Sequence, residues 1–148
     1  MAINFKDSEL LSQLSKNGKA SQRDLSKETG LALGTVNTHI KKLEKEKIIK
    51  GYFADIDPEK VGFNLTAIIN LRIKKGTLMD VQATIANHSR VFGIYDVTGE
   101  WDSLILARFK NREEMDNFIK TTLSQKHIER TSTSLVLNTV KEEPRIIL

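Results

Sequence analysis

Within eight residues the chain sets out Thr35, Asn37, Thr38, His39, Lys41 and Lys42. Hydroxyl, amide and imidazole groups can exchange hydrogen bonds with the edges of bases, and ammonium groups neutralise phosphates. Val36, Ile40 and Leu43 recur among them at i, i+4 and i+7. A helix that buries those three turns the polar set outward. Ser21 and Gln22, at the head of the preceding helical stretch, are read as part of the same surface. Double-stranded DNA is the partner this chemistry suits. A helical hairpin with a solvated charged face is the plain alternative.

The elements that must position this set can be read around it. Leu25 to Leu43 reads as two short helices with Gly30 between them, a helix-turn-helix pattern. Glycine tolerates the left-handed backbone that ends a helix sharply. Leu10, Leu11 and Leu14 mark an earlier helix, capped by Asp7 or Ser8 and ended at Asn17-Gly18. Ser21 with Asp24 resembles a capping box. Ala32, at the head of the third helix, is a poor cap. Ile48 to Tyr52 reads as a short strand closing a winged-helix-like unit.

Charge supports the DNA reading. The net charge is +4, but residues 16–50 hold nine Lys or Arg against four Asp or Glu, a local net of +5. Such local excess is the electrostatic footprint of a nucleic-acid binder. The chain has no cysteine, so disulfides, thiol catalysis and thiolate metal sites are excluded. His39, His88 and His127 stand far apart, which argues against a metal. No apolar run reaches membrane-span length and no signal peptide is evident, so the expectation is a cytoplasmic protein with no membrane partner. There is no phosphate loop and no nucleophile paired with a base; neither an enzyme nor a bound cofactor is expected.

Asp55 to Gly62 is punctuated by Pro58 and Gly62 and reads as a boundary. The expected division is a DNA-binding domain over 1–52, a linker over 53–62 and a second domain over 63–148. Beyond the linker the period changes. Leu65 to Lys74 alternates as a strand, and Leu78, Val81 and Ile85 mark a helix. Val91–Val97 and Asp102–Phe109 read as a hairpin. Met115, Phe118 and Leu123 mark a further helix, and Ile128–Val140 a last strand. The order β-α-β-β-α-β is the ferredoxin-like α+β arrangement, an antiparallel sheet with two helices on one face. The uncovered face carries apolar residues such as Ile68, which predicts association into at least a dimer.

Four features together resemble the leucine-responsive regulatory protein / AsnC (Lrp/AsnC, feast/famine) family: Asp7 with Leu10, Leu11, Leu14, Asn17 and Gly18; LSKETGLALGTVNTHIKKLE followed by Ile49 and Gly51-Tyr52; the TGEWDSLI turn; and the order of elements. The resemblance spans nearly the whole chain. It implies a transcription regulator that senses a small effector, most often an amino acid, with dimers joined through the ferredoxin-like domain and assembled into octamers or related rings. It places the effector at Thr98, Gly99, Glu100, Trp101 and Asp102, with Thr131, Ser132, Thr133 and Ser134 of the last strand. One departure is visible. The family usually has Ser, and often Pro, where this chain has Ala32 and Leu33, and Gly34 then weakens the first turn by roughly 1 kcal/mol relative to Ala.

An amino-acid effector needs an acceptor for its ammonium and donors for its carboxylate. Asp102 is the expected acid. Gly99 gives access to backbone N–H groups, and the four hydroxyls of 131–134 can donate and accept. A turn-ending Asp102 and an ordinary exposed strand are the plainer readings of the same residues. Two other functions stay open: an architectural DNA-binding protein without effector, and a small-molecule-binding regulatory domain that does not bind DNA.

Overall fold

The computed structural model describes residues 3–146, which separate into two units, one running to Asp55 and taken up again from Lys141, the other Ile56–Val140. The first holds three helices: α1 (Phe5–Lys16), α2 (Gln22–Thr29) and α3 (Leu33–Lys45). Leu10, Leu25, Val36 and Ile40 form its core, with Leu14, Ala20, Leu31 and Ile49 packed against them. Ser21 caps α2 in a reciprocal box with Asp24, and Gly30 ends the helix at φ +69°. Ala32 stands at the cap of α3 and offers no side-chain hydrogen bond.

Two local expectations fail here. Asn4, not Asp7 or Ser8, caps α1, accepting from the Asp7 N–H at 2.8 Å. This releases the Asp7 side chain to turn inward. No strand forms over 48–52. The N–H groups of Ile48 and Ile49 both donate to the Leu43 carbonyl, at 3.0 and 3.1 Å, after Lys47 takes a left-handed turn at φ 58°. The helix end has used the donors a strand would need. Tyr52 closes back on α3 by donating to Glu44 at 3.0 Å.

The second unit contains β1 (Leu65–Ile73), α4 (Leu78–Ala86), β2 (Val91–Asp96), β3 (Ser103–Phe109), α5 (Arg112–Thr122) and β4 (Ile128–Leu135). Its antiparallel sheet runs β2-β3-β1-β4. This is the expected ferredoxin-like order. Alternate residues of β1 and β3, from Ala67, Ile69 and Leu71 to Ile105, Ala107 and Phe109, are buried with Val81, Ile85, Met115 and Phe118 of the helices. Glu114 of α5 accepts from the Lys110 N–H at 2.6 Å and from Arg90 at 2.5 Å. β4 stops at Leu135 rather than Val140. Leu135 already pairs with Ala67, and Val136 donates to Thr66, so little of β1 is left to pair with.

Candidate functional site

The helical unit presents α3 with Val36, Ile40 and Leu43 buried. Gly34, Thr38, Lys41 and Lys45 are exposed at helical spacing on the opposite side. Thr35 is half-buried, and the Thr38 hydroxyl donates to the Gly34 carbonyl at 2.9 Å. Asn37 is also half-buried, and its Oδ1 has no hydrogen-bond partner among the described residues. Ser21 and Gln22 are exposed at the start of α2, but the Ser21 hydroxyl is held by Asp24 at 2.7 Å. Lys45 was missed in the sequence. It sits four residues beyond Lys41, a spacing that could have found it, inside a run of alternating Glu and Lys that hid it.

His39 and Lys42 turn out differently. His39 Nδ1 lies 2.6 Å from Asp7 Oδ1, and Lys42 Nζ lies 3.3 Å from Asp7 Oδ2. Asp7 is 2% exposed. Burial pushes its carboxyl up, but the hydrogen bonds and charges of His39 and Lys42 outweigh this and hold it below the ordinary value. The imidazole and one ammonium counted as DNA contacts therefore clasp α1 to α3. The reason is spacing: positions i and i+3 share a face, and that face meets α1.

In the sheet unit a cavity of about 380 Å³ is lined by Arg72, Gly99, Glu100, Trp101 and Arg130. Thr98 to Asp102 lie on the β2–β3 turn, with Gly99 at φ +112°. Of the residues read as an effector site, Gly99, Glu100 and Trp101 line the cavity. Thr98, Asp102 and Thr131 to Ser134 are not among its walls. Asp102 is occupied elsewhere: its Oδ2 accepts from the Ile73 N–H at 2.8 Å and its own N–H donates to the Leu71 carbonyl. Thr131 and Thr133 pair with Leu71 and Ile69, whereas Ser132 and Ser134 pair with Asn70 and Ile68. Strand alternation thus splits the four hydroxyls between two faces of the sheet.

Two arginines stand where the hydroxyls were expected. Arg130 Nη2 donates to Glu100 Oε1 at 2.9 Å, and its guanidinium lies 4.6 Å from the centre of the Trp101 ring. Arg72 donates to the Glu100 carbonyl and reaches Asp102 Oδ1 at 3.7 Å. Only the strand register, which brings Arg72 opposite Arg130, reveals this pair. Among the described residues no cluster of His, Cys, Asp or Glu could hold a metal ion, and no helix is long and apolar enough to cross a membrane.

A helix-turn-helix unit joined in one chain to a ferredoxin-like unit defines a class, the two-domain transcription regulators. Residues 66–146 match the family model described as the Lrp/AsnC ligand binding domain, and residues 6–50 match the winged helix-turn-helix DNA-binding model. The chain belongs to the Lrp/AsnC family of transcription regulators. It is 39% identical over 140 residues to an HTH-type transcriptional regulator of Pyrococcus abyssi, covering 95% of each chain. It is 37% identical over 136 residues to the HTH-type transcriptional regulator FL11 of Pyrococcus horikoshii, covering 92% of this chain and 90% of that one. A transcriptional regulator of Neisseria meningitidis, solved as a complex with L-Met, superimposes with a TM-score of 0.89 at 27% identity, covering 98% and 96%. E. coli AsnC shares the fold, with a TM-score of 0.86 at 20% identity over 96% of this chain and 97% of that one.

Proposed function

We propose that the chain is a sequence-specific regulator of double-stranded DNA whose sheet unit answers to an amino acid. The observation that carries the DNA half is the exposed face of α3, where Thr38, Lys41 and Lys45 stand opposite the buried Val36, Ile40 and Leu43. Thr35, Asn37 and Thr38 read bases, while Lys41 and Lys45 neutralise phosphates. The cavity at the β2–β3 turn supports the effector half. The L-Met complex of the Neisseria meningitidis regulator is in keeping with an amino acid there. The open sheet face, with Phe92, Tyr95 and Ile68, is the dimer surface, and dimers assemble further into an octamer or similar ring.

The test is a gel-shift titration in salt. Lys41→Ala and Lys45→Ala each weaken binding to all sequences and flatten the dependence on log salt by about one unit. Thr38→Ala costs about 1–3 kcal/mol at one base position and little on random DNA. Equal losses on specific and random DNA would remove Thr38 from base reading. A salt slope unchanged by both lysine variants would move α3 off the DNA.

A further inference from the structure

Arg72 and Arg130 face each other directly across β1 and β4. Like charges opposed in register repel. Neither is needed by the core, since their side chains are 47% and 65% exposed. Between them stands one residue, Glu100, which gives its carbonyl to Arg72 and one carboxylate oxygen to Arg130. Its other carboxylate oxygen makes no hydrogen bond among the described residues. Each guanidinium carries several further N–H donors in a planar fork that suits a carboxylate. Trp101 lies against the Arg130 guanidinium and limits the directions it can point. The nearby acid, Asp102, is committed to the Ile73 N–H and faces Arg72.

We propose that Arg72 and Arg130 form a clamp for the carboxylate of the effector, and that the free oxygen of Glu100 receives its ammonium. The inference rests on the amino-acid reading above and assigns the acid's role to Glu100 instead of Asp102. The walls set two guanidiniums against the one carboxylate of Glu100, and Asp102, just outside them, faces Arg72 at 3.7 Å. A zwitterion adds no net charge to them. A ligand with the carboxylate alone leaves Glu100 without its partner, and one with the ammonium alone leaves the arginines opposed. The cavity therefore selects α-amino acids over both their α-keto acids and their amides.

The experiment uses the full chain. Thermal shift screens the twenty L-amino acids, and calorimetry then compares each binder with its α-keto acid and its L-amino acid amide. Expected is a loss of about tenfold or more in affinity for both analogues. Arg72→Gln and Arg130→Gln each weaken the amino acid roughly ten- to a hundredfold, the effect of a lost charge-assisted hydrogen bond. Glu100→Gln removes the preference over the keto acid, while Asp102→Asn keeps it. An amide or keto acid that binds as tightly as its amino acid overturns the clamp while the amino-acid reading stands. So does wild-type affinity in both arginine variants. If none of the twenty binds, the amino-acid reading falls and the clamp with it. Should an arginine variant unfold, the analogue series on the unaltered chain still decides.

Discussion

In the α1–α3 contact the helical unit buries a carboxylate, Asp7, while the sheet unit fills its interior with Phe109 and Phe118. The fully buried polar residue of the sheet unit is neutral: Ser103, which accepts from Gln82 and donates to the Tyr95 carbonyl. The difference follows from what each has to pack. Two helices on a four-stranded sheet bury a long alternating row of side chains, and interdigitation alone sets their places. Three short helices bury few apolar side chains, and apolar packing tolerates repacking and small shifts. A hydrogen-bonded ion cluster does not, because its geometry is directional. Asp7 thus gives α3 a fixed seat on α1, which the proposed reading of DNA by α3 would require.

The largest expected break in this comparison is on the sheet side. Phe109→Ala should destabilise the sheet unit by about 3–5 kcal/mol. Trp101, the one tryptophan in the chain and part of that unit, reports the loss by fluorescence in urea. Second comes Asp7→Ala in the helical unit. It leaves His39 and Lys42 facing a void, and helical circular dichroism should show a loss of about 1–3 kcal/mol, discounted because Lys42 is half exposed. A loss below a few tenths would mean that packing alone seats α3.

Acid sharpens the contrast further. The Asp7 carboxyl lies below its ordinary value, so the stability it gives is complete above the unfolded value, about 3.9. That stability fades as the pH falls through the lower folded value. Glu114 in the sheet unit behaves with the same sign: the Lys110 N–H lowers its carboxyl most, and Arg90 helps against the cost of burial. Urea titrations from about pH 6 down to about pH 2 should show an acid limb in both units. Asp7→Asn should flatten the helical one and leave the Trp101 signal unchanged. The smallest effect is a gain. Ala32→Ser supplies the cap α3 lacks and should stabilise the helical unit by about 0.5–1 kcal/mol.

The fold was legible because both periods are long and clean. Val36, Ile40 and Leu43 were read as a buried helical stripe, and the alternation of Leu65 to Lys74 was read as a strand; both are as expected. What could not be read was which polar residue answers to which across elements. Asp7 and His39 are 32 residues apart, and no local pattern announces their contact. Arg72 and Arg130 meet only through a register that loops and a bulge decide. Of the turn read as an effector site, Gly99, Glu100 and Trp101 line a cavity, whereas Asp102 was assigned by its charge without account of the backbone N–H that claims it. Ile48 to Tyr52 looked like a strand by composition, and a left-handed Lys47 diverted it.

The bare start of α3 has a consequence for the thermodynamics of encounter. A helix leaves about four N–H groups open at its first turn, and Ala32 closes none of them with its side chain. Gly34 loosens the same turn further. That turn is held by the Val36 N–H, which donates to the Ala32 carbonyl at 3.0 Å, and by burial of Val36, and an anion meeting the open amides at the positive end of the helix dipole would tighten it further. Part of the tightening of this turn would then come with docking. Association with DNA should carry an unfavourable conformational entropy localised at residues 32–35, and Ala32→Ser, by prepaying it, should make the measured entropy of binding less negative.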